Sequence, residues 1–100
     1  MKILNSSIAG TLESSDIMIS LEPGSGAIEI ELQSIVEKQF GRQICSIIKS
    51  TLSELNIESA KVKAVDKGAL DCTIQARVRA AVHLAAGAKS YEWMIQEVSK

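Results

Sequence analysis

Apolar positions in the first third of the chain recur every second residue. Ile17, Ile19 and Leu21 alternate with Met18, Ser20 and Glu22 over Asp16–Glu22, and Ile28, Ile30 and Leu32 alternate with Glu29, Glu31 and Gln33. A period of two predicts half-buried strands with their apolar sides inward. Ser7–Leu12 is a weaker strand candidate, with Ile8, Gly10 and Leu12 on one face. Between the second and third candidates, Pro23-Gly24-Ser25-Gly26 is the strongest turn signal in the chain. Three strands joined by short reversals predict an antiparallel sheet with one wet face.

The period then lengthens. Ser34-Ile35-Val36-Glu37 has the form of a capping box, and Val36, Phe40, Ile44, Ile47, Ile48, Leu52 and Leu55 follow at helical spacing. Asn56 is the expected C-terminal stop. Ser59–Val65 reads as a fourth strand with Lys61 and Lys63 facing water, and Asp66-Lys67-Gly68 reads as a turn that uses Gly at positive φ. Residues 69–79 fit either period. Leu70, Cys72, Ile74, Ala76 and Val78 alternate, whereas Leu70, Ile74, Val78, Ala81, Val82 and Ala85 form a helical stripe. The alanine density of 76–88 favours the helix, with Gly87 as its cap. The fold class expected is α+β. It is a two-layer sandwich in the order β-β-β-α-β-α, a four-stranded, mainly antiparallel sheet with two helices on one face. Residues 1–87 form the domain, and 88–100 form a tail that is either docked or mobile.

Composition narrows what such a domain can do. The core is aliphatic, since 46% of residues are hydrophobic but only 3% are aromatic. Eleven basic residues against twelve acidic ones leave a net charge of −1, which removes the electrostatic footprint of a nucleic-acid binder. No run approaches the roughly 18 apolar residues of a membrane span, and the opening "MKILNSSIAG" is too short in its apolar stretch for a signal peptide. The expectation is a cytoplasmic protein that binds neither nucleic acid nor membrane. Cys45 and Cys72 are far apart and read as small buried apolar residues, with no metal site. One histidine, His83, reads as a partly exposed spectator on the second helix. A nucleophile–base pair cannot be assembled from this set, so no catalytic residue is assigned.

The segment Gly10–Asp16, "GTLESSD", places three hydroxyls beside acids in a connection between strands, with no base nearby to activate any of them. Such a hydroxyl suits an attachment point better than a catalyst. "AGTLESSDIMI", "VEKQFG", "VDKGALDC" and "ARVRAA" together resemble the acyl carrier (gamma) subunit of citrate lyase over about Ala9–Ala86, and more distantly the delta subunit of malonate decarboxylase. The resemblance implies a carrier, not an enzyme. Ser14 would hold a 2'-(5''-phosphoribosyl)-3'-dephospho-CoA group through a phosphodiester, with Ser15 the second choice. Implied partners are the alpha subunit (citrate:acetyl carrier transferase), the beta subunit (citryl lyase), the prosthetic group transferase and an acetate ligase. Glu13 and Asp16 are expected to keep the reversal solvated and to repel the phosphates of the arm. Arg77 and Arg79 read either as contacts for those phosphates or an acidic partner, or as a solvated helix face. Tyr91 and Trp93 read as docking anchors or as residues folded back on the sheet. The competing functions are a small non-catalytic α+β binding or regulatory domain and the carrier of a malonate decarboxylase.

Overall fold

The computed structural model describes residues 2–35 and 37–86, excluding the side chains of residues 37 and 38. Six elements follow in the expected order: β1 (Ser7–Gly10), β2 (Ile17–Pro23), β3 (Ile28–Ser34), α1 (Glu37–Glu54), β4 (Ala60–Asp66) and α2 (Asp71–Ala85). They form a four-stranded sheet with two helices, and of residues 69–79 those from 71 on belong to α2 and none to a strand. Gly87, Tyr91, Trp93 and the rest of the 88–100 segment lie outside the described residues.

The strand order is β1-β2-β4-β3. The β1–β2 and β2–β4 ladders are antiparallel, while β3 and β4 run parallel. The expected direct pairing of β2 with β3 is therefore replaced by insertion of β4 between them. The turn-like run after Pro23 bridges that gap: Pro23 and Ile28 both stand opposite Ala60, one on each side of it. Skipping a strand means crossing about 10 Å of sheet, more than a tight turn spans. Gly24 lies so close to the start of β4 that a Cβ there would collide with the backbone nitrogen of Ala60. Gly26 N donates to Ser59 Oγ (2.9 Å), and Ala60 N donates to Ala27 O (3.1 Å), fastening the crossover to the strand beneath it. On the wet face, the register sets Lys61 between Glu22 and Glu29 and places Glu31 beside Lys63. Alternating charges of this kind favour the observed strand order over neighbouring like charges.

The core lies between sheet and helices. Ile17, Ile19, Leu21 and Val62 meet Ile48, Leu52, Ile74, Val78 and Val82, all essentially inaccessible to water. Full burial of each such aliphatic side chain contributes about 1.5–3 kcal/mol. The end of α1 is a Schellman motif. Asn56 takes the left-handed conformation (φ 59°), Asn56 N donates to Ser53 O and Ile57 N donates to Leu52 O. Ser34 closes β3, and its hydroxyl donates to Asp66 Oδ2 (2.8 Å). Glu37, the other half of the expected capping box, has a side chain outside the described set.

Several expected inward residues face water instead. In β1, Ile8 is exposed, as is Leu12 beyond it, whereas Ala9 packs on the core and Ser7 Oγ donates to Ala81 O (2.6 Å). The short side chains of Ser7, Ala9 and Ala81 allow α2 to approach this edge strand closely, which decides its facing. Phe40 and Leu70, both members of the expected helical stripes, are 47% and 69% exposed. His83 is buried, not partly exposed. Neither cysteine is buried: Cys45 is intermediate and Cys72 exposed.

Candidate functional site

The connection 11–16 between β1 and β2 is a turn with Ser14 near its apex. Asp16 N donates to Glu13 O (3.2 Å), closing a four-residue reversal in which Ser14 and Ser15 are the central pair. Ser15 has φ 65°, at the position where a type II turn favours Gly, and is held there because its N–H donates to Lys67 O (2.8 Å). Lys67 N returns a hydrogen bond to Asp16 O (2.9 Å). The turn is thus stitched to the Asp66–Gly68 corner after β4, where Gly68 has the expected positive φ of 90°. Ser14 itself is exposed, and among the described residues no hydrogen bond occupies its hydroxyl.

Asp16 supports this turn from beneath. It is 8% exposed, so the expectation of a solvated acid is wrong. Its carboxylate accepts from Arg77 Nε (3.0 Å), Arg77 Nη2 (2.7 Å), Thr11 Oγ1 (2.6 Å) and Ile17 N (2.7 Å). Thr11 Oγ1 in turn accepts from Glu13 N (3.2 Å). The Arg77 hydrogen bonds, followed by that from Thr11, hold the Asp16 carboxyl well below the usual carboxylate range, while burial opposes them. The same pairing raises the basicity of Arg77. Two-pronged Arg–carboxylate contact fixes geometry as well as charge. Because Asp16 is neutralised, its expected repulsion of phosphate loses its basis; Glu13 remains exposed in the turn.

Arg77 therefore belongs to the serine turn as an internal partner. Arg79 instead pairs with Glu54 (2.9 Å) and ties α2 to the end of α1. Thr11, Lys67 and the structural use of Asp16 were not legible in the linear order. A partial signal did exist, because Arg77 directly precedes the buried Val78 and so sits at the edge of the apolar stripe, within reach of the sheet.

This arrangement presents two exposed serine hydroxyls, Ser14 and Ser15, on a fastened turn, and the comparisons with known proteins agree with a carrier. A family model described as the malonate decarboxylase delta subunit (MdcD) matches residues 5–85. The citrate lyase acyl carrier protein of Streptococcus uberis is 57% identical over 93 residues, which is 93% of this chain and 92% of that protein. Its counterpart in Lacticaseibacillus casei is 56% identical with the same coverage. The chain belongs to the citrate lyase acyl carrier protein family. A Pseudomonas malonate decarboxylase hetero-tetramer, solved in complex with malonate, contains a chain with the same fold at TM-score 0.70. The match has 16% identity and covers 85% of this chain and 88% of that one. Membership in the acyl carrier family implies a covalently attached prosthetic group, and the chemistry of this chain is that of a carrier. No helix among the described residues is long and apolar enough to cross a membrane.

Proposed function

We propose that this protein is the acyl carrier subunit of citrate lyase, with 2'-(5''-phosphoribosyl)-3'-dephospho-CoA joined through a phosphodiester to Ser14. The observation that supports the reading is an exposed hydroxyl at Ser14 on a turn fastened on both sides, where the adjacent Ser15, also exposed, has its backbone tied to Lys67. The residues present fit the group. The neighbouring acid is already satisfied by Arg77, so a phosphodiester on Ser14 meets less negative charge than the sequence suggests. Ser15 is the second choice: its hydroxyl is exposed as well, but its backbone is held against Lys67 in a left-handed conformation and so serves the shape of the turn.

When attached, the group supplies a thiol on which acetyl and citryl units are held as thioesters while citrate is split to oxaloacetate and acetate. The chain's own residues present and orient. The turn offers Ser14 to an external transferase, which brings the base that accepts the hydroxyl proton and an activated phosphoryl donor, whose leaving group departs from phosphorus as the Ser14 Oγ–P bond forms. The paired Asp16 and Arg77 keep that turn in one shape. Partners in this reading are the alpha (citrate:acetyl carrier transferase) and beta (citryl lyase) subunits, the prosthetic group transferase and an acetate ligase, all in the cytoplasm.

The test is intact mass and peptide mapping of the chain produced together with its transferase. The expected result is a mass increase matching the group, located on Ser14, abolished in Ser14→Ala and retained in Ser15→Ala. Attachment at Ser15 would move the site. No attachment by a transferase active on a known carrier would overturn the reading.

A further inference from the structure

Beside the serine turn lies a groove of about 600 Å³ between the opening turns of α1 and α2, over the end of β4. Its walls are Phe40, Gln43 and Ile44 on one side and Ala69, Leu70 and Ile74 on the other. Phe40 and Leu70 are, among the described residues, the two stripe residues that the fold leaves in water, and here they form part of the walls of one concavity. Asp66 and Gly68 also line it. Between them stands Lys67, whose N–H and carbonyl are both bonded to the turn that presents Ser14. Lys67 thus links the groove's Asp66–Gly68 edge to Ser15 and Asp16, the neighbours of the candidate attachment point.

We propose that this groove is the resting site of the prosthetic arm, holding its amide-bearing, thiol-ended chain against the carrier between visits to partner active sites. The inference rests on Ser14 as the attachment point. A volume of this size, mostly apolar with a few polar groups, belongs to the range of small-molecule sites, and a protein partner would be expected to meet a broader, flatter face. The polar groups are placed for an amphipathic chain. Gln43 Nε2 reaches both Asp71 oxygens only at 3.3 Å, long for a hydrogen bond, so those oxygens retain capacity to accept from an arm amide. Affinity can be weak, because a tether makes binding intramolecular at an effective concentration of about millimolar. A weak site also releases the arm readily, as a carrier requires.

The experiment compares apo and holo forms of the full chain by NMR, after mass mapping has located the group. The expected result is a set of shift changes at Phe40, Ile44, Leu70 and Ile74 in the holo-protein. Slow alkylation of the arm thiol relative to free coenzyme A is expected alongside, with the arm resolved from Cys45 and Cys72 by peptide mapping. The variant is Leu70→Asp. Leu70 is the N-cap residue of α2 and its side chain makes no capping bond, so Asp there suits the helix and the variant folds. It should erase the groove shifts and raise alkylation to the rate of free coenzyme A. With Ser14 shown to be modified, shifts confined to residues 11–16 would overturn the proposal and leave the carrier reading intact. So would groove signals that move only when the lyase subunits are added, since the face would then be a subunit contact. Absence of the group from Ser14 would instead overturn the attachment reading, and this inference with it.

Discussion

The two reversals that flank β2 are both fastened by distant residues, but by different means. Residues 11–16 contain no Pro, Gly or Asn, yet they form a tight hairpin connection. Residues 24–27, rich in Gly and preceded by Pro, do not form one and cross over β4 instead. The first is held by a buried ion pair with Arg77 on α2 and by Lys67 beyond β4, added to its own Thr11–Asp16 and Glu13–Asp16 hydrogen bonds. The second depends on its own backbone passing close to Ala60, with Ser59 as its side-chain fastener. A turn assembled from distant partners is well defined only when the whole domain is folded. That suits the attachment site proposed at Ser14.

The comparison breaks most visibly at Arg77. Arg77→Ala removes two charge-assisted hydrogen bonds and leaves Asp16 buried with less compensation. We expect a loss of about 2–3 kcal/mol in urea denaturation, together with slower attachment at Ser14 per folded molecule. Gly24→Ala tests the other reversal. Its Cβ would press on the Ala60 backbone and cost about 1–3 kcal/mol by the same measurement, while attachment per folded molecule stays normal. Equal loss of attachment in both variants would erase the distinction between the reversals.

Acid should separate them as well. The folded Asp16 carboxyl is depressed below the ordinary value of 3.8 by its Arg77 and Thr11 hydrogen bonds, so its stabilising contribution is complete above about pH 4. That contribution is lost as pH falls from there toward the lower folded value. Asp16→Asn is expected to be less stable near neutral pH and to lose less of its stability below pH 4 than the parent chain, as read from urea midpoints at a series of pH values. The smallest effect is expected at Ser15. Ser15→Gly relieves the left-handed backbone cost of about 1–2 kcal/mol, partly offset by the greater freedom of Gly in the unfolded chain. A net gain of roughly 0.5 kcal/mol, seen as a small rise in Tm with attachment still on Ser14, would sharpen the view that Ser15 serves the turn only through its backbone.

Much of the architecture was legible because periodicity is local. Alternation in Ile17–Leu21 and Ile28–Leu32 reported strands, helical spacing through Ile44–Leu52 reported α1, and Asn56 reported its end. The alanine-rich stretch was resolved in favour of α2 by propensity, as the structure has it. The candidate serine was legible only through resemblance to a family, since an isolated exposed hydroxyl in a turn has no periodic or spacing signature.

By itself, then, the sequence determined the elements, their order, the α+β class and the family. Tertiary structure alone decided that β4 enters between β2 and β3, that Ser7 and Ala9 rather than Ile8 face α2, and that Phe40 and Leu70 border a groove. It also decided that Asp16 and Arg77, 61 residues apart, close on each other beneath Ser14. The reason is the range of the forces. Side-chain periodicity and turn preference act over a few residues and can be read in order along the chain. Strand placement and buried charge pairing depend on which surfaces pack together, and that choice is made by the folded domain as a whole.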